Sequence, residues 1–155
     1  MAELLDQLLQ QESELQFASF NENTAWEIGC RLVERAQQDG LPVVIDIMRG
    51  THQLFHAALP GSAPDNDEWA KRKSRAVIRF GHSSFYMGEL LKSRNQTIDK
   101  NYLIPESEFA PHGGSFPVIV KGTGVVGTIT VSGLPSEEDH KLVTDGIRNY
   151  LASQK

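Results

Sequence analysis

Two stretches of the chain hold residue types that could do chemistry. Ala110 to Pro117 reads A-P-H-G-G-S-F-P. A histidine there can ligate, donate or shuttle a proton near neutral pH. The glycines that follow let backbone amides come close to a ligand. The competing reading is a turn: Gly113 and Gly114 shape the entry to a strand and His112 caps it. The second stretch, Lys71 to Arg79, reads K-R-K-S-R-A-V-I-R, with five basic residues and no acid. It is either a solvated helix face or a site for a small anionic ligand, with Arg72 and Lys73 holding a carboxylate or phosphate.

Other matches fail on context. Gly122-Thr123-Gly124-Val125-Val126-Gly127 fits the dinucleotide pattern G-x-G-x-x-G. That pattern works only where a helix begins and aims its amides at a pyrophosphate. Here T-I-T-V follows, so the glycines are expected to turn a hairpin. His52 and His56 are spaced like a helical metal pair. On a strand, however, four residues span roughly 13 Å, too far for shared ligation. They are expected on one strand face with Leu54, and no metal site is expected. Ser83 and Ser84 lack a base or an oxyanion site that could make either a nucleophile. Ser84 is expected to be a packing or pocket-lining hydroxyl. His140 falls in the first turn of the last helix, where the dipole disfavours an imidazolium, so it is expected to be neutral and structural.

The elements that must position these residues follow from periodicity. Leu4, Leu5, Leu8 and Leu9 mark an amphipathic helix over 1–14, which either covers a sheet face or makes subunit contacts. Leu15 to Phe20 alternates like a short strand. Thr24 with Glu27 forms a capping-box pattern for a helix that Gly40 stops. Pro42 to Met48 and Thr51 to Ala58 make a hairpin about Arg49-Gly50. Asp65-Asn66-Asp67 caps a long helix to about Arg94, weakened at Gly81 and Gly88. Residues 95–115 show no period, and so long a connection is often functional. Phe116 to Lys121 and Val125 to Ser132 form a second hairpin. Ser136 with Asp139 opens the last amphipathic helix. The order α-β-α-β-β-α-β-β-α gives an α+β fold with helices flanking a largely antiparallel sheet of about five strands.

Composition bounds the rest. The 155 residues amount to one domain over 1–155, 39% hydrophobic and 23% charged. Net charge is −5, so everything outside Lys71 to Arg79 carries −10. An acidic body argues against nucleic-acid binding. Cys30 is the single cysteine, which suits a reducing compartment. The first residues lack a basic start and a long apolar core, and no apolar run approaches the roughly 20 residues a bilayer needs. A cytoplasmic protein without membrane association is expected.

The layout W-A-K-R-K-S, then H-G-G-S-F-P-V-I-V, then V-V-G-T-I-T-V-S-G-L-P-S-E-E-D-H resembles the haem-degrading (HbpS- and GlcG-like) domain family, in particular its uncharacterised cytoplasmic branch. The resemblance runs from about Asn23 to the end. It implies a profilin-like α-β-α fold and a homo-oligomer, with a dimer as the minimum unit. It also implies a small-ligand-binding protein with haem as the candidate cofactor. Haem needs an apolar slot, an axial ligand and cations for its propionates. Residue chemistry offers His112 or His82 as ligand, Trp69, Phe80 and Phe85 as walls, and Arg72 and Lys73 as propionate partners. Gly113, Gly114 and Ser84 complete the expected site. No C-x-x-C-H motif for covalent haem is present. Two other readings stand beside this one: an enzyme or accessory factor of small carboxylate or diol metabolism, and a non-catalytic oligomeric partner-binding module.

Overall fold

The alternation T-I-T-V-S over 128–132 gives the sheet two unlike faces. The computed structural model describes residues 2–155. Its four strands are β1 (Val44–Arg49), β2 (His52–Ala58), β3 (Ser115–Val120) and β4 (Gly124–Ser132), in the antiparallel order β2-β1-β4-β3. Register places Ile45 opposite Val131, Ile47 opposite Ile129, and Phe116 opposite Ile129. These aliphatic and aromatic side chains share one face. They pack with α2 (Glu22–Asp39) and α6 (Ser136–Ser153) through Ala25, Ile28, Leu32, Val143 and Ile147, all buried. Each such side chain contributes about 1.5–3 kcal/mol of burial free energy.

The opposite face is polar. Asp46 lies opposite Thr130, Met48 opposite Thr128, and Ser115 opposite Thr130. α3 (Pro64–Phe80) covers this face, with α4 (Ser84–Ser93) beside it. Hydroxyls line this face: Ser74 of α3 meets Thr128 at 2.8 Å, and within the sheet Ser115 meets Thr130 at 2.8 Å. α1 (Ala2–Glu14) rests on α4. No described helix is long and apolar enough to cross a membrane.

The expected fifth strand is not part of the sheet. Leu15 to Phe20 contributes only one parallel bridge, Phe17 to Val120. Phe17 and Phe20, three residues apart, stack edge-to-face at 5.1 Å. That spacing breaks the period of two a strand needs.

The expected long helix is two helices. Gly81 takes φ 73 and ends α3, its N–H donating to the Val77 carbonyl. Ser83 then caps α4 by accepting from the Tyr86 amide at 3.1 Å. G-H-S-S is thus a stop followed by a start. The unpatterned 95–115 stretch holds a short helix, α5 (Ile98–Tyr102). Ile98 and Ile104 form a small core with Leu91, Phe80 and Phe109. The cap of α2 also moves: Asn21 and Thr24 exchange the capping bonds, and Glu27 takes no part.

Candidate functional site

α3 has cavities on two sides, and it divides the basic run of residues 71–79 between them: Lys73 lines one, and Lys71, Arg75 and Arg79 line the other. On one side, Trp69 and Lys73 line a cleft of about 300 Å³ with His112, Ser132, Ser136 and Asp139. The His112 ring meets Trp69 edge-on at 5.6 Å. Arg72 stacks over Trp69 at 4.4 Å and donates to the Glu106 carbonyl at 2.6 Å. Lys73 is buried at the floor, 3.0 Å from Asp139 and 3.5 Å from the Val131 carbonyl. Burial pulls the Lys73 pKa down and pushes that of Asp139 up, against their mutual attraction. Asp139 also accepts from the Gly133 and Leu134 amides. His112 is held below the usual histidine range by desolvation and by Lys73, Lys92 and Arg72, with Glu106 opposing them.

The glycines after His112 serve packing more than amide exposure. The Gly113 N–H donates to Ser136 Oγ at 2.9 Å, and the Gly114 carbonyl accepts from the Val131 amide at 2.8 Å. Gly114 has φ 136, and a Cβ there would run into the Val131 carbonyl. Ser136 therefore serves the loop, and Pro135 is the N-cap of α6 without a side-chain bond. The Ser136–Asp139 pattern was visible in the sequence, but its partners were not.

Four expected residues, His82, Ser84, Phe80 and Phe85, lie elsewhere. His82 does not line the cleft: its Nδ1 is 2.7 Å from Glu12 Oε1 in α1. Ser84 is buried, bonded to the Ser115 amide at 3.0 Å and to its carbonyl at 3.3 Å. Phe80 stacks on Tyr102 at 4.7 Å, and Phe85 on His140 at 5.0 Å. His140 is buried, with its pKa pushed down to about 4 by desolvation.

On the other side of α3 runs a groove of about 970 Å³ against the β1–β2 hairpin. Met48, Ala70, Ile78 and Phe109 form apolar walls, and Lys71, Arg75 and Arg79 stand along it. Sequence reasoning named the basic run but not which members share a face. Helical spacing was the available signal: Lys71, Arg75 and Ile78 recur at three to four residues. His56 sits in this groove, its Nδ1 3.4 Å from Asp46 and its Nε2 3.3 Å from Asp67.

The expected common face for His52 and His56 is wrong. A bulge at Leu54 sets Ile47 opposite Phe55 but Met48 opposite Gln53. The extra residue changes the alternation, so His52 pairs with Arg49 toward α2 while His56 pairs with Asp46 toward α3. Gly122 to Gly127 lies in the β3–β4 turn and β4, with no helix following. Among the described residues no group of three or more His, Cys, Asp or Glu side chains could hold a metal ion.

The family described as "Haem degrading protein HbpS-like" matches residues 20–148. This chain belongs to the HbpS-like family. A UPF0303 protein of Streptomyces coelicolor is 48% identical over 94% of the chain and 92% of that relative. The crystal structure of Ybr137w protein matches with TM-score 0.87 and 32% identity, covering 97% of this chain and 90% of that one. The structure titled PduOC:Heme Complex matches with TM-score 0.67 and 18% identity, over 84% of this chain and 92% of that one, a likeness of fold alone. In this chain the fold comprises helices flanking a four-stranded antiparallel sheet.

Proposed function

We propose that this HbpS-like protein binds a flat, anionic, apolar-faced ligand of the haem class in the groove between α3 and the β1–β2 hairpin. The observation that carries this is the pairing of apolar walls with three cations in one groove of about 970 Å³. That volume lies at the upper end of ordinary ligand pockets, roughly 300–1,000 Å³.

The residues of the groove fit the group. Met48, Ala70, Ile78 and Phe109 would cover the macrocycle; Ile78 is 54% exposed, an apolar side chain that a ligand would shield. Lys71, Arg75 and Arg79 would hold the propionates. His56 is the imidazole of the groove. Histidines that ligate a metal usually give their other N–H to a carboxylate; Asp46 stands 3.4 Å from Nδ1, while Nε2 lies 3.3 Å from Asp67 and would have to leave that carboxylate to meet a metal. A bound haem would supply ligand-exchange and redox chemistry at its iron.

The cleft at His112 fits a macrocycle poorly. Its volume is near 300 Å³, and Asp139 stands in it against a dianion such as the two propionates. The family description supports the ligand class.

The test is a haem titration followed in the Soret band. The wild type is expected to bind, His56→Ala to shift the band and weaken binding, and His112→Ala to leave both unchanged. Reversing charge at Arg75 or Arg79 should weaken binding about tenfold. No Soret change, or a band that survives His56→Ala and disappears in His112→Ala, overturns the assignment. Sedimentation in the same samples reads self-association: a dimer that haem leaves intact places its interface outside the groove.

A further inference from the structure

The polar cleft on the opposite side of α3 is a second construction that the haem-class reading does not use. We propose that it binds a small monocarboxylate, held between Lys73, His112 and the start of α6.

Size sets the first limit. About 300 Å³ admits a molecule of a few heavy atoms and excludes a macrocycle. Donor count sets the second. An ammonium carries three N–H donors. Lys73 spends one on Asp139 at 3.0 Å, and its contact with the Val131 carbonyl is stretched to 3.5 Å. A donor on the floor of the cleft is therefore under-used.

His112 supplies a neutral imidazole at the mouth. Its surroundings are Lys73, Lys92 and Arg72 on the positive side and Glu106 on the negative side. Trp69 stands edge-on to it as an apolar wall. Below, α6 opens into the cleft through Ser136, and no described side chain caps that helix. The Glu138 and Asp139 amides bond the Pro135 carbonyl, and Glu137, Glu138 and Asp139 already place negative charge on the first turn, so α6 contributes Ser136 and position rather than free positive charge.

Charge favours a monoanion over a dianion. Asp139 lies in the same cleft and neutralises Lys73, so a second negative charge would face the Asp139 carboxylate directly. A carboxylate would accept from Lys73 and from His112. Its charge would also offset the cations that depress the His112 pKa, so binding and protonation of His112 reinforce one another.

The experiment is an NMR titration of the His112 ring with lactate, propionate and phosphate in the wild-type protein. Lactate or propionate at millimolar concentration should shift the ring resonance and raise the His112 pKa. His112→Ala, at an exposed position that should leave the fold intact, should weaken carboxylate binding about tenfold, the value of one charge-assisted hydrogen bond, read in both proteins from the Gly133 backbone amide in the cleft wall. His56→Ala should not affect it, which separates this site from the groove. An unmoved His112 resonance, equal carboxylate affinity in His112→Ala, or tighter binding of phosphate than of either carboxylate overturns the proposal.

Discussion

Lys73 and Asp139 form an ion pair of 3.0 Å at the floor of the cleft, their side chains 5% and 0% exposed. It pins α3, on the polar face of the sheet, to the first turn of α6, on the apolar face. The Gly133 and Leu134 amides hold the same carboxylate, so the turn after β4 is tied in as well.

Removing one partner strands the other charge in a desolvated setting, which typically costs about 3–5 kcal/mol. Lys73→Met and Asp139→Asn should each lower the urea midpoint accordingly. The double variant Lys73→Met with Asp139→Asn should recover most of the loss, because no unpaired charge is left and the side-chain amide oxygen can still accept from the turn after β4. Equal losses that simply add would show that the two residues act independently.

Two histidines should give stability opposite slopes with pH. Burial lowers the His140 pKa from 6.5 to about 4. Between those values the unfolded chain takes up a proton that the folded chain refuses. Stability is therefore kept above pH 6.5 and lost as pH falls toward 4, by up to about 3 kcal/mol. The His82 pKa is raised above 6.5, first by its hydrogen bond to Glu12. That contribution is complete below pH 6.5 and fades as pH rises through the folded value. His82 is partly exposed, so it amounts to less than about 1 kcal/mol. Denaturant curves across pH 4–8 check both. His140→Phe should flatten the acid limb, and His82→Gln the limb above neutrality.

Gly114 is the residue of the H-G-G stretch that tolerates least. Its φ of 136 disfavours any side chain, and a Cβ would meet the Val131 carbonyl and Lys73 Nζ. Gly114→Ala should cost about 1–3 kcal/mol from backbone strain, before any clash is added. A melting temperature unchanged from wild type would show that the loop can rotate freely.

Much of the fold was written in local pattern. Both hairpins, the terminal helices and the turn at Gly122 to Gly124 follow from alternation, helical spacing and glycine placement, which act between residues near in sequence. The break at Gly81 was visible as a weak point. It became a helix end because Ser83 could cap the next helix and Glu12 could accept from the Ser83 amide at 3.1 Å. Leu15 to Phe20 looked like a strand, but Phe17 and Phe20 both turned into the same aromatic cluster with Tyr150.

The residues near the candidate sites were legible as types and not as neighbours. Trp69, Lys73 and His112 do converge in one cleft. His82 and Ser84 were drawn away by Glu12 and Ser115, partners 70 and 31 residues distant. The groove was hidden for a related reason. A single bulge at Leu54 decides that His56 faces α3 while His52 faces α2, and alternation read along one strand cannot register a residue that its partner strand skips.

The sequence by itself determined the terminal helices, α2, the two hairpins and the family signature, because periodicity and turn chemistry are properties of short segments. Tertiary structure alone decided that one basic helix should serve two cavities. Side chains three to four residues apart share a helix face, while those one or two apart diverge. Packing α3 on a hydroxyl-lined sheet therefore turned Lys73 inward to Asp139 and left Lys71, Arg75 and Arg79 along the groove.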